Sequence, residues 1–162
     1  MRTRRRNWPR PTPRAACFCG CWRDPAFARN TFVVYRFDVA QPAKRQTARR
    51  LWRELAAARA AVISSQVLAE FIHVARRQLR PQLTDEQLQI AVESLAPMAT
   101  VDANKGLVLA GLTLAQRYKL SIFDAMIVQA AIDSGASILY SEGLQNGQDL
   151  SDVASVAICG VL

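Results

Sequence analysis

Three acidic residues of this sequence stand in apolar company, where carboxylates serve metal or acid–base chemistry if they converge. Glu70 lies in "VLAEFIHVA", at the edge of a helical apolar stripe between Val67 and Val74. Asp124 lies in "SIFDAMIVQAAI", a segment apolar nearly all round and so expected to be buried. Glu142 directly follows the apolar run "SILYS". Converging carboxylates repel one another and take up protons unless a cation lies between them. An all-oxygen ligand set of this kind suits Mg²⁺ or Mn²⁺. Each acid also has an ordinary reading by itself. Ser121-x-x-Asp124 has the form of a helix cap, with Asp favoured near a helix amino terminus. Glu70 could pair with His73 or Arg77 on a half-exposed face, and Glu142 could be a turn residue. His73, the single histidine, reads as structural. Only the joint placement favours the metal.

That placement depends on the elements around the acids. Periodicity predicts helices over Pro42–Arg59, residues 65–79, Thr84–Leu95, Lys105–Tyr118 and Ser121–Ser134. Thr84-Asp85-Glu86-Gln87 is a capping-box pattern, Ser64 and Ser65 can cap the second helix, and Gly135 is a stop for the last. Short β-prone runs fall at "AAVIS" (60–64), "MATVD" (98–102), "SILYS" (137–141) and "DVASVAI" (152–158). Strands alternating with helices imply an α/β domain with a mainly parallel sheet. In such sheets the functional crevice lies beyond the carboxyl ends of the strands, where helices begin. Glu142, Asp124 and Glu70 would all reach that edge. The run "TFVVY" (31–35) has the local propensity of a further strand.

The net charge of +8 is uneven. Residues 1–29 hold eight Arg and one Asp, or +7, whereas residues 30–162 hold 13 Lys/Arg and 12 Asp/Glu, or +1. The body is nearly neutral, so overall basicity says little about its partners. The sequence divides into an Arg/Pro/Cys-rich tail (1–29), expected to be disordered or non-native, and a folded domain (30–162). The tail's composition is that of GC-rich DNA read out of frame; an arginine-rich arm on RNA phosphates is the competing reading. "CFCGC" (Cys17, Cys19, Cys21) is a poor zinc pattern, and thiols without an evident partner suit a reducing cytoplasm. No apolar run approaches the roughly 20 residues that span a bilayer, so a soluble protein is expected. No Gly-rich phosphate loop follows any predicted strand, which disfavours a nucleotide-binding domain.

The order of these pieces resembles the PIN domain, in particular VapC-type toxin ribonucleases. Four stretches carry the likeness: "VYRFDVAQPAKRQTARRL", "VISSQVLAEFIHVARRQL", "LAQRYKLSIFDAMIVQAAIDSGASILYSE" and "LQNGQ". It covers roughly residues 30–158, and the third stretch is the most specific. The resemblance implies a PIN-like three-layer α/β/α fold and a divalent-metal-dependent endoribonuclease. Metal-activated water would attack an RNA phosphodiester, with Mg²⁺ or Mn²⁺ as cofactor. It further implies a homodimer neutralised by a cognate antitoxin. Glu70 and Asp124 would be catalytic, and the metal would be held by Glu70, Asp124, Glu142 and Asn30. The family's opening motif is a strand followed by Asp-Thr-Asn. Counting back from Tyr35 without a gap puts Arg29, Asn30 and Thr31 there; shifting by one gives Asn30, Thr31 and Phe32. Neither register supplies the Asp, and Gly143 stands where a further acid is common. "TFVVY" would then be a turn and helix, with the first strand drawn from "DPAFA" (24–28). The alternative function is a catalytically inactive PIN-like module that retains only protein or RNA binding.

Overall fold

The computed structural model describes residues 25–79 and 83–142 and the strand at Ala157–Cys159. Among these residues there are five strands and six helices. The strands are β1 (Ala26–Ala28), β2 (Ala61–Ser64), β3 (Ala99–Val101), β4 (Ile138–Tyr140) and β5 (Ala157–Cys159). The helices are α1 (Asn30–Tyr35), α2 (Pro42–Ala57), α3 (Ser65–Gln78), α4 (Asp85–Glu93), α5 (Lys105–Tyr118) and α6 (Ile122–Asp133). All four strand pairings are parallel, and the order across the sheet is β3-β2-β1-β4-β5.

From β1 the chain steps outward through β2 to β3, then returns past β1 to lay down β4 and β5 on the other side. Right-handed crossovers in opposite directions put α1–α4 and α5–α6 on opposite faces, which makes three layers. The direction of winding reverses between β1 and β4, and open α/β sheets bind their ligands at such a reversal. The α/β/α reading therefore holds, and the reversal locates the site to search.

β1 occupies the centre of the sheet although "AFA" has little strand propensity. All three of its residues are buried, as expected for a parallel strand covered on both faces. It lies upstream of the domain start expected at residue 30, and inside the stretch 24–28 proposed to supply the first strand. Residues 1–24, including Cys17, Cys19 and Cys21, lie outside the described residues. "TFVVY" is helical, against its local propensity and in line with the resemblance. Phe32 is fully buried, stacked on Tyr140 with ring centroids 5.2 Å apart and tilted against Trp52 at 6.1 Å. Helix propensities separate β-branched residues from Ala by well under about 1 kcal/mol each. Burying one aromatic outweighs that.

The helix ends follow the local signals. Thr84 and Gln87 form both halves of the capping box, and Ser64 Oγ accepts the Val67 N–H. After α6, Gly135 has φ +69°, and the Gly135 and Ala136 N–H groups donate to the Ile132 and Ala131 carbonyls. This is the two-bond stop that a left-handed glycine permits. Within α5, Gly111 lets α6 approach closely. A Cβ there would lie 2.8 Å from Met126 Cγ and 3.3 Å from its Cα and N. Helix propensity alone favours Gly111→Ala by about 1 kcal/mol. Overpacking against a backbone costs about 1–3 kcal/mol. A net loss of roughly 1 kcal/mol is expected, read as a lower urea midpoint with unchanged slope.

Candidate functional site

The carboxyl ends of β1 and β4 meet at the winding reversal, and the residues just past them are Arg29 and Ser141. Arg29 extends the ladder, its N–H donating to the Tyr140 carbonyl at 3.2 Å. Its guanidinium then turns across the reversal. One terminal nitrogen donates to Ser141 Oγ at 3.1 Å, and the other lies 2.6 Å from Asp124 Oδ1. The two side chains are 15% and 21% exposed, so this is a largely desolvated ion pair. It is a contact of charge rather than an aligned fork. Asp124 Oδ1 and Arg29 Nε are both buried without a hydrogen bond. The register without a gap is therefore the one adopted, and an arginine follows the first strand.

Asp124 is in the first turn of α6, whose N-cap is Ser121. Ser121 Oγ accepts the Asp124 N–H at 3.1 Å and donates to Asp124 Oδ2 at 2.7 Å. The capping reading of Ser121-x-x-Asp124 is thus half met: Ser121 caps, but the Asp124 carboxylate bonds the hydroxyl, not a backbone N–H. Both the amino end of α6 and the Arg29 guanidinium direct positive charge at this carboxylate.

Glu70 reaches the same edge from the second turn of α3. Gln66, one turn earlier, donates Nε2 to Glu70 Oε1 at 2.7 Å and to the Phe123 carbonyl at 3.2 Å. One amide thus ties Glu70 to the residue preceding Asp124. The partner of Glu70 is Gln66 and not His73 or Arg77, which contact each other at 3.5 Å on the surface.

Glu142 is engaged elsewhere. The Tyr35 hydroxyl donates to Oε2, and Lys44 Nζ lies 2.9 Å from Oε1 and 3.0 Å from Oε2. Tyr35 closes α1 and Lys44 opens α2, so these two helices hold Glu142 to their own side. Burial pushes the Tyr35 phenol up from 10.0, and its hydrogen bond to Glu142 adds to this. The hydrogen bond to Glu142, followed by that to Tyr35, raises Lys44 above 10.5. Raised values on both groups mean that their contribution is complete below the unfolded values and is lost only as pH climbs through the raised ones. The cluster therefore persists through the neutral range. Asn30 follows Arg29, and its Oδ1 accepts the Thr31 N–H at 2.9 Å.

These residues do not fit a divalent cation. Asp124 faces a guanidinium, Glu142 a phenol and an ammonium, and Asn30 its own neighbour's backbone. Among the described residues no three Asp, Glu, His or Cys side chains gather as a ligand set. A divalent ion about 4 Å from a guanidinium would be repelled by about 8 kcal/mol at an effective dielectric of about 20. Moving Arg29 aside instead breaks a largely buried pair, at a cost of about 3 kcal/mol. That alone weakens metal binding by about two orders of magnitude. Tyr35, Lys44, Ser141 and Gln66 carry no sequence pattern that marks them as site residues; each is recruited across the fold.

The chain matches the family described as PIN domain over residues 31–152. No curated protein matches it. Three solved structures are similar. VapC20 of Mycobacterium tuberculosis, described as a sarcin-ricin loop cleaving toxin, is 18% identical, with TM-score 0.58 over 81% of this chain and 98% of that one. A toxin-antitoxin complex from Klebsiella pneumoniae is 19% identical, with TM-score 0.56 over 82% and 95%. VapBC2 from Rickettsia felis, bound to a DNA fragment from its promoter, is 17% identical, with TM-score 0.58 over 83% and 97%. At these identities the structures attest the shared fold. The family match spans three quarters of the chain, including α3, α6 and the strand β3 between them. The chain belongs to the PIN domain family.

Proposed function

We propose that this chain is a PIN protein of the toxin-antitoxin type whose metal-dependent ribonuclease chemistry is impaired, so that it acts by binding. The observation that carries this reading is the 2.6 Å contact of Arg29 with Asp124 at the winding reversal. A fixed monocation neutralises the acid that the resemblance assigns to Mg²⁺ or Mn²⁺. Glu70 and Asp124 remain the pair that would hold such an ion if Arg29 were absent, with Glu142 held aside and Asn30 a neutral substitute. The proposed partners are RNA, a cognate antitoxin protein and a second copy of the chain. The antitoxin rests on neighbours described as a toxin-antitoxin complex and as VapBC2. Pairing of two copies draws on the exposed apolar side chains Val108, Leu109 and Leu112 of α5 with Phe123 at the start of α6. No helix among the described residues is long and apolar enough to cross a membrane. The proposed location is the cytoplasm, whose reducing conditions suit cysteines without an evident disulfide pattern in the sequence.

The test is an RNA cleavage assay with Mg²⁺ or Mn²⁺, run with EDTA and with Asp124→Asn as controls. The expected result is no EDTA-sensitive cleavage above the Asp124→Asn background. Cleavage abolished both by EDTA and by Asp124→Asn would instead establish an active metal-dependent endoribonuclease.

A further inference from the structure

α2 carries a second cationic feature, apart from the acids at the sheet edge. Arg45, Arg49 and Arg53 recur every four residues and so form a row along one flank of the helix, stepping about 6 Å each time. Arg36, just past α1, joins the row: its carbonyl accepts Arg49 Nε at 2.8 Å, and its guanidinium stacks 4.1 Å over the Trp52 ring. Arg53 Nε in turn donates to the Arg49 carbonyl at 3.3 Å, which orients the row. Like charges at this spacing weaken a helix. Yet among the described residues none of these four arginines has a carboxylate within ion-pair distance, and the one acid of α2, Glu54, pairs with Arg50. Arg36 Nη1 and Arg45 Nε are buried without a hydrogen bond. Burial, with the charge of Arg49 beside it, pushes the Arg36 guanidinium down to about 10. Among the described residues the row is thus uncompensated by acids, at a cost to the stability of the domain.

We infer that the Arg45–Arg49–Arg53 row, with Arg36, is a phosphate-binding track for single-stranded RNA, leading along α2 from the first turn that holds Lys44 beside Glu142. Guanidinium groups suit phosphates through their fork of donors. The step along the row is close to the separation of successive phosphates on an extended strand. A protein partner would need an apolar centre to its interface. None of the exposed large apolar side chains among the described residues lies on α2, and the apolar cleft that Arg36 shares with Phe37 and Ile90 is not lined by Arg45, Arg49 or Arg53. The track rests on the proposed reading of the chain as an RNA-binding protein and names the surface that does the binding.

The test measures binding of a fluorescent single-stranded RNA oligonucleotide to the full chain against KCl concentration. The variants are Arg45→Gln/Arg49→Gln/Arg53→Gln and, as a charge control, Arg76→Gln/Arg77→Gln on α3. The arginines of residues 1–24 are common to all. The triple variant is expected to bind at least about tenfold more weakly at about 100 mM KCl. Its slope of log K against log[KCl] should be shallower by about 2, for three lost phosphate contacts at about 0.7 each. The α3 control should bind within about twofold of the native chain. The triple variant should also melt no lower than the native chain, because helix repulsion is relieved. Arg36→Met should weaken RNA binding while raising the melting temperature. Unchanged affinity and slope in the triple variant overturn the track, as does an equal loss in the α3 control. Equal competition by a polyglutamate peptide of matched charge would make the row a protein-docking surface and overturn the RNA assignment. None of these outcomes bears on whether Arg29 blocks metal, so the two readings fail separately.

Discussion

Arg29→Asp is expected to turn Mn²⁺ from a bystander into a stabilising ligand. The substitution removes the guanidinium 2.6 Å from Asp124 and supplies a carboxylate at the end of β1, on the edge that Glu70 also reaches. Without metal, the variant replaces an ion pair by a cluster of like charges. That should lower stability by about 3–5 kcal/mol. The loss corresponds to a melting temperature lower by roughly 10 °C for a domain of this size. Saturation with Mn²⁺ at about 100 times its dissociation constant should restore about 2.7 kcal/mol. The native chain should show no such response, and EDTA should reverse the gain. Thermal denaturation of both proteins with and without Mn²⁺ checks this. The buried Asp124 Oδ1, which makes no hydrogen bond beside Arg29, is the lone pair that the ion would use. A variant that melts lower and ignores Mn²⁺ would mean that the other acids are too far apart to act together.

The second large effect is in the core. Phe32→Ala should cost about 3–5 kcal/mol, since it empties a fully buried aromatic site between Tyr140 and Trp52. The consequence reaches the site as well, because α1 carries Tyr35 to Glu142. A loosened α1 should release the Tyr35 phenol, whose titration, followed by ultraviolet absorbance, should fall back toward 10.0. A loss below about 1 kcal/mol would contradict the burial of "TFVVY" as a helix.

Much of the architecture was legible from local chemistry. The capping box at Thr84, the serine caps at Ser64 and Ser121, and the glycine stop at Gly135 marked helix ends to within a residue or two. Alternation of helices with short β-prone runs announced the parallel sheet. β1 was not legible by propensity, because a central strand of Ala-Phe-Ala is specified by what surrounds it on both faces. "TFVVY" misled for the matching reason: β-branched residues favour strands only weakly, and burial against Tyr140 and Trp52 decides. The family resemblance placed both correctly. In the site, the sheet edge at which Glu70 and Asp124 stand followed from strand direction. The contacts that decide its chemistry did not. Arg29 and Asp124 are 95 positions apart, and Tyr35, Lys44 and Glu142 come together from three elements. Pairings over such distances are a product of topology, and no spacing along the sequence encodes them.

Calorimetric titration of Mn²⁺ into the native chain, with Asp124→Asn in parallel, reads out whether Arg29 occupies the place of a metal. If Arg29 neutralises Asp124 and stands in the metal's place, neither protein should show saturable binding up to about 1 mM ion, a free-energy limit of about −4 kcal/mol. Saturable one-site binding by the native chain, lost in Asp124→Asn, would contradict it.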